Sequence, residues 1–384
     1  MKRVLPVIVI AQFLCTSLWF AGNAVLPDLI ARLQAPDSLL AHMTSAVQLG
    51  FISGTLLFAL LTINDRYAPS NVFFFSAVIA AGFNLLITIE GLSSTSLLLF
   101  RMLTGFFLAG IYPVGMKIAS DYFQQGLGKS LGFLVGALVL GTAFPHLLKS
   151  VTVSLPWKYV LYSTSGLALV GGMLLWLLVP DGPHRKPSSA LQWNAFLSGF
   201  RSADFRAAAF GYFGHMWELY AFWAFVPLML TAHNARFPQA NLNVSLLSFF
   251  IIGLGGLACV ISGLLSQMFT AKKVATTALL LSGICCLASP WVLQYEHVIV
   301  LILFLIFWGA VVIADSPLFS TMVAQSAPEA TRGTSLTIVN SVGFAITIVS
   351  IQFLNLMNSS WGPYHHYLLL AIGPALGLFA LLKK

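Results

Sequence analysis

Three ionisable residues stand where their neighbours are almost all apolar. Glu218 and His215 belong to the run Gly214-His215-Met216-Trp217-Glu218-Leu219-Tyr220, and Asp315 ends an apolar stretch that begins near Val298. Three residues apart, His215 and Glu218 share one face of a helix. A carboxyl group taken out of water needs a proton, a nearby cation or several hydrogen-bond donors to be stable there. Two such carboxyls suit a proton site, a cation site, or both. The plainer alternative is that Glu218 and His215 pair with each other and hold two helices together. His215, Met216, Met229 and His233 could also offer soft ligands to a transition metal, although methionines are common in apolar runs. Hydrolase chemistry finds no support. There is no H-E-x-x-H or G-x-S-x-G run, and the His215–Glu218 pair lacks a second metal ligand at helical spacing. Elsewhere Gln12, Trp19, Asn23, Tyr112 and Tyr220 have the polar and aromatic groups that hydrogen-bond and stack against a small organic solute. Such aromatics serve equally as packing or as interface anchors.

The elements that position these residues follow from composition. Of 384 residues, 58% are hydrophobic and only 8% charged, and the mean hydropathy is +0.90. Soluble domains carry roughly 25% charge, so a soluble enzyme, a disordered chain and a disulfide scaffold are excluded. Cys15, Cys259, Cys285 and Cys286 all lie in apolar runs and read as small buried hydrophobes. A membrane-spanning helix needs about 20 apolar residues. That criterion predicts twelve spans, near 4–30, 42–62, 72–91, 96–118, 130–150, 158–179, 207–232, 244–268, 274–294, 297–323, 335–357 and 363–382. The expected architecture is all-α, with an N-terminal six-helix bundle (1–180), a polar linker (181–206) containing Pro183 and Pro187, and a C-terminal six-helix bundle (207–384). With the N-terminus inside, fourteen of the nineteen Lys and Arg residues fall on inner loops. This bias sets both termini in the cytoplasm. The net charge of +8 then faces anionic lipid, and no nucleic-acid partner is needed to explain it. On these spans Glu218 lies about 16 Å and Asp315 about 12 Å from the inner ends of their helices. An ionisable group at such depth costs about 2.5–3.5 kcal/mol even on the gentler insertion scales. Lys117, Lys149 and the pair His365-His366 lie near span ends and are expected to be solvated.

The two halves of the chain repeat each other at a drifting offset. Ala21, Ala24 and Pro27 match Ala221, Ala224 and Pro227 at 200 residues; Leu61, Asp65 and Val72 meet Gly263, Gln267 and Val274 at 202; Pro113 matches Pro317 at 204; Gly128, Ser130 and Leu131 match Gly333, Ser335 and Leu336 at 205. Parallel six-span repeats are one architecture of secondary transporters. The loop after the second span keeps Asp65-Arg66 of the pattern G-x-L-a-D-R-x-G-R-R but loses both glycines and the trailing basic residues. Its second-half copy keeps Gly263, Lys272 and Lys273 with Gln267 in place of Asp. Arg101, Gly105 and Ala109 meet R-x-x-x-G-x-x-x-A in full on the fourth span. On the fifth, Gly132 and Gly141 keep the spacing of an exporter pattern, while Pro145-His146 replaces its Gly-Pro pair. On these motifs the chain resembles the major facilitator superfamily over its full length.

The resemblance implies a secondary transporter working by alternating access. The first, fourth, seventh and tenth spans would line a central cavity, where Glu218, His215, Asp315 and the polar residues of span 1 would lie. It implies a part in proton coupling for Arg101, opposed to Asp28 or Glu90; a cation snorkelling to the interface is the alternative. Asp65, Arg66, Asp121 and Arg332 would form inner gating contacts rather than touch substrate. Pro27, Pro113, Pro227 and Pro317 occupy equivalent places and would kink the cavity helices. Nitrate-carrying members use arginines in the second and eighth spans, and both are free of arginine here, which disfavours a strongly anionic substrate. The expectation is a small organic solute, a proton gradient and no cofactor, in a monomer in a bacterial inner membrane. Symport is favoured over export because the exporter pattern is broken. A proton-driven drug or metabolite exporter is the alternative, with a transition-metal carrier behind it. A channel is disfavoured because no filter-like repeat is present.

Overall fold

In lipid the backbone must satisfy its own hydrogen bonds, and long apolar runs without strand-like alternation do so as helices. The computed structural model describes residues 3–123, 127–152, 154–185, 199–328 and 332–383, and these are helical without a single strand. The chain divides into two compact units, Met1–Gln192 and Trp193–Lys384. Unit one contains α1 (Val4–Thr16), α2 (Ala21–Ala24), α3 (Leu26–Leu33), α4 (Leu39–Leu60), α5 (Ile63–Arg66), α6 (Pro69–Leu86), α7 (Ser94–Leu108), α8 (Tyr112–Tyr122), α9 (Leu127–Val151) and α10 (Lys158–Leu178). Unit two contains α11 (Ala203–Arg236), α12 (Val244–Gly253), α13 (Gly255–Met268), α14 (Ala271–Leu293), α15 (Val298–Ala314), α16 (Ser316–Ser326), α17 (Arg332–His365) and α18 (Ile372–Leu382). Short 3-10 segments at Pro238–Ala240 and His366–Ala371 complete it. Of the expected linker, residues 186–198 lie outside the described residues, and α11 starts at Ala203, earlier than the expected 207.

Among the described residues ten helical stretches are long and apolar enough to cross a membrane. The other two expected spans are the informative ones. Span 1 is broken: α1 ends at Thr16, a turn follows, and α2 and α3 continue outward. Span 7, the 34-residue α11, falls short on hydropathy because it carries His215, Glu218 and several tyrosines and tryptophans. Together with these two, the order is that of a twelve-span protein. Spans 4 and 10 break at the same place in their units. Pro113 starts α8 and Pro317 starts α16, each in the first turn, where a missing N–H costs nothing. Pro27 likewise sits in the first turn of α3. Pro227 departs from that pattern and lies inside the continuous α11. Gly362, at φ 75°, interrupts the helix between spans 11 and 12.

Close backbone contact holds spans 2 and 4 together. A Cβ placed on Gly105 would lie 2.1 Å from the Val47 carbonyl oxygen, and one on Gly54 2.2 Å from that of Phe106. Gly105 of the R-x-x-x-G-x-x-x-A run is therefore a packing residue. In unit two the same device joins α11 to α18, where Gly214 and Gly373 face each other's backbone, each with a virtual Cβ 2.3 Å from the other's carbonyl oxygen. That crossing fixes the stretch of α11 that carries His215 and Glu218.

Candidate functional site

The polar core of unit two is built from α11, α14 and the α15–α16 junction. Glu218 is fully buried. Its Oε1 accepts from Trp308 Nε1 (2.6 Å) and Cys286 Sγ (3.2 Å), and its Oε2 accepts from Ser282 Oγ (2.9 Å). Ser282 Oγ also lies 3.1 Å from the Leu279 carbonyl oxygen. Ser282 and Cys286 are four apart on α14, so both reach the carboxylate from one helix face. Trp308 is fixed by its ring against Phe222, with centroids 4.6 Å apart.

His215 does not pair with Glu218. Its Nδ1 lies 2.7 Å from Oδ1 of Asp315, both side chains being buried, although the approach is off the line of a well-formed hydrogen bond. Asp315 sits at the break in span 10. It is the last residue before α16, and its carbonyl accepts from Leu318 and Phe319. The remaining Oδ2 of Asp315 and Nε2 of His215 meet no hydrogen-bond partner. Tyr212 and Phe319 flank the imidazole, with ring centroids at 5.9 and 6.1 Å. Tyr220 packs against Trp223 and Phe344. Measured from the observed helix ends, Glu218 lies about 22 Å along α11 and Asp315 about 16 Å from the end of α16, because both helices run further than the expected spans. His215 and His233 are about 27 Å apart along α11 and cannot share a metal. Among the described residues no three His, Cys, Asp or Glu side chains gather as a metal site.

In unit one Arg101 is fully buried, and among the described residues no acid pairs with it. Its Nη1 donates to the Leu18 carbonyl at 3.1 Å and its Nη2 to the Trp19 carbonyl, the two oxygens exposed by the break in span 1. The end of α1 is a region of negative dipole, which suits a cation. Asp28 instead pairs with Lys149 (2.7 Å) and Glu90 with Lys158 (3.7 Å). Neither snorkelling nor an acid partner describes Arg101; it stitches a broken helix. Lys149, expected to be solvated, is only partly exposed in that pair. His366 is buried, with Nδ1 2.8 Å from the Gly362 carbonyl, while His365 is exposed. Gln12, Trp19 and Asn23 are buried, and Tyr112 is half-buried at the start of α8.

A family model described as the Major Facilitator Superfamily matches residues 8–382. The chain belongs to the Major Facilitator Superfamily. It is an integral membrane transporter and not an enzyme. Among solved structures it is similar in fold to the human organic anion transporter MFSD10 (TETRAN), at 17% identity and TM-score 0.77, covering 99% of each chain. It is similar to the proton:xylose symporter XylE bound to 6-bromo-6-deoxy-D-glucose, at 16% identity and TM-score 0.74, covering 99% of this chain and 95% of the other. A bacterial homologue of the human lysosomal transporter Spinster, inward-facing and unoccupied, is similar at 14% identity and TM-score 0.74, with 99% and 96% covered. No protein of curated function matches the chain.

Of the residues expected to form inner gating contacts, Asp121 lies 3.5 Å from Lys117 one turn earlier, and Arg66 Nε donates to Thr62 Oγ1 at 3.1 Å. Arg332 begins α17 and is exposed. The Asp65 side chain lies outside the described residues. Sequence reasoning missed Trp308, Ser282 and Cys286. Cys286 read as a mere hydrophobe, yet it is also a donor to Glu218. The available signal was a tryptophan in the otherwise aliphatic and phenylalanine-rich α15, and a Ser/Cys pair at helical spacing on α14.

Proposed function

We propose that the protein carries a small organic solute across the membrane by alternating access and that a proton crosses with it, taken up and released by Glu218. The observation that carries this reading is the set of groups around that carboxyl. When Glu218 is ionised, the Ser282 hydroxyl donates to it. When Glu218 holds a proton, the hydroxyl turns to the Leu279 carbonyl, and its oxygen accepts the carboxyl proton. Both charge states keep their hydrogen bonds, a property that a permanently ionised structural carboxylate does not need. The pair of His215 on α11 and Asp315 at the α15–α16 junction leaves Nε2 and Oδ2 open to the solute or to a second proton.

Symport is favoured because Pro145-His146 breaks the exporter pattern on α9. The basic residues on the expected inner loops support cytoplasmic termini and a bacterial inner membrane as the site of action. The protein would act as a monomer without a cofactor, its energy coming from the proton gradient. A thermal-shift screen of metabolites on the purified protein, followed by uptake of a stabilising compound into proteoliposomes under an imposed pH gradient, tests this reading. Wild type should accumulate the compound, and Glu218→Gln should be expressed normally yet fail to accumulate it. Unchanged pH-driven uptake by that variant would refute the role of Glu218.

A further inference from the structure

In unit one, amides supply half of the buried side-chain polar atoms that lack a hydrogen-bond partner among the described residues. Gln12 and Gln48 are fully buried, and neither the oxygen nor the nitrogen of either amide has a hydrogen-bond partner. Asn23 donates through Nδ2 to Thr44 Oγ1 (2.8 Å), while its Oδ1 has none. Asn23 and Gln48 share one neighbourhood, and Gln12 lies further along the same span as Asn23. Thr44, Gln48 and Phe51 follow one another at helical spacing on α4. Thr44 touches Asn23 of span 1, and the Phe51 ring lies 4.9 Å from that of Trp19. Gln48 stands between those two contacts and so faces span 1 as they do. Gln12 lies two turns before Trp19 on the same span, its Oε1 towards Gly115 of α8, where a Cβ would come within 2.4 Å.

A buried amide with nothing to bond is costly, and native interiors rarely keep one without a use. Two whole glutamine amides and half an asparagine amide therefore point to a molecule that bonds them. A carboxylate only accepts hydrogen bonds and would strand the amide oxygens. An ammonium only donates and would strand the amide nitrogens. A hydroxyl does both, and so does a neutral amide, and the Trp19–Phe51 pair offers a face to the apolar side of a ring.

We infer that Gln12, Asn23 and Gln48, with Trp19 and Phe51, form the recognition site for a neutral solute rich in hydroxyl or amide groups. The inference rests on the transporter reading above and names its substrate class: unit one reads the solute, and Glu218 in unit two handles the proton.

The test is equilibrium binding to the purified full-length protein by isothermal titration. The panel holds glucose, myo-inositol and nicotinamide as neutral probes, and gluconate, glucosamine and tetraphenylphosphonium as charged ones. At least one neutral probe should bind saturably and more tightly than gluconate or glucosamine. Gln48→Met and Gln12→Met, which keep side-chain volume, should each weaken that probe about tenfold, the worth of one good hydrogen bond. Glu218→Gln should bind it normally. Failure of every neutral probe, tighter binding of a charged probe, or unchanged affinity in both folded glutamine variants would overturn the site. If a variant does not fold, the ranking of probes on wild type still decides. Neutral binding that depends on the glutamines, with no proton movement in vesicles, would sink the coupling by Glu218 and leave this site standing. Proton-coupled uptake indifferent to Gln48 would do the reverse.

Discussion

Trp308→Phe isolates one donor of the Glu218 site. The phenyl ring keeps the stack on Phe222 (4.6 Å) and on Phe304 (5.6 Å), so packing is largely preserved. What goes is the indole N–H that reaches Oε1 at 2.6 Å, leaving the carboxylate with Ser282 and Cys286. A hydrogen bond to a charged group is worth about 1.5–3 kcal/mol. At about 1.4 kcal/mol per tenfold, the ionised carboxylate becomes about 10- to 100-fold harder to reach. A symporter must pass through that state after each delivery, before the empty carrier reorients and reloads. Net accumulation driven by a pH gradient should therefore fall by about one to two orders of magnitude. Counterflow, in which labelled solute exchanges against unlabelled solute while the carrier stays protonated, should fall far less. Both assays run on the same proteoliposomes with any solute that raises the melting temperature of the protein. Equal losses in the two assays would mean general damage, and no loss in accumulation would mean that Trp308 does not serve a titrating group. Either result refutes the reasoning.

Other expectations follow from contacts on the same scale. Gly105→Ala forces a methyl against the Val47 carbonyl, so it should cost about 1–3 kcal/mol of stability, seen as a lower melting temperature in detergent. Arg101→Met strands the Leu18 and Trp19 carbonyls at the span 1 break, and thermal or denaturant melts should show a loss of about 2–6 kcal/mol, with Arg101→Lys recovering only part of it. Lys149→Ala removes a partly exposed pair with Asp28 and should cost no more than about 1 kcal/mol, a loss that shrinks further in high salt, with uptake unchanged. A cysteine placed by Arg185→Cys should react with an impermeant maleimide only from the cytoplasmic side of inverted vesicles; reaction from the other side would overturn the expected orientation.

The spans were legible because the bilayer imposes a length and a composition on them, and runs such as Val298–Ala314 satisfy both without ambiguity. The four prolines were expected to kink the cavity helices; Pro27, Pro113 and Pro317 instead lie in the first turn of a new helix where the span breaks, and Pro227 lies within a continuous one. The break at residues 17–20 had no local signal. Leu18-Trp19-Phe20 would continue a helix, and what stabilises the opened carbonyls is an arginine some eighty residues further along. Local spacing misled in the same way at His215 and Glu218. Sharing a helix face put them close in sequence terms, but partners from other helices, Asp315 for one and Trp308, Ser282 and Cys286 for the other, satisfy them separately. That Glu218 and Asp315 lie within long apolar helices could be read from the chain; which donors converge on them depends on packing between α11, α14 and α15, which no local pattern encodes.

The most direct measurement follows the proton itself. Proteoliposomes holding a pH-sensitive dye, with no imposed gradient, receive a transported solute from outside. The lumen should acidify as solute enters, and Glu218→Gln should abolish the acidification while still binding the solute. Solute entry with no change in luminal pH in the wild type, or acidification that persists in Glu218→Gln, would contradict the account.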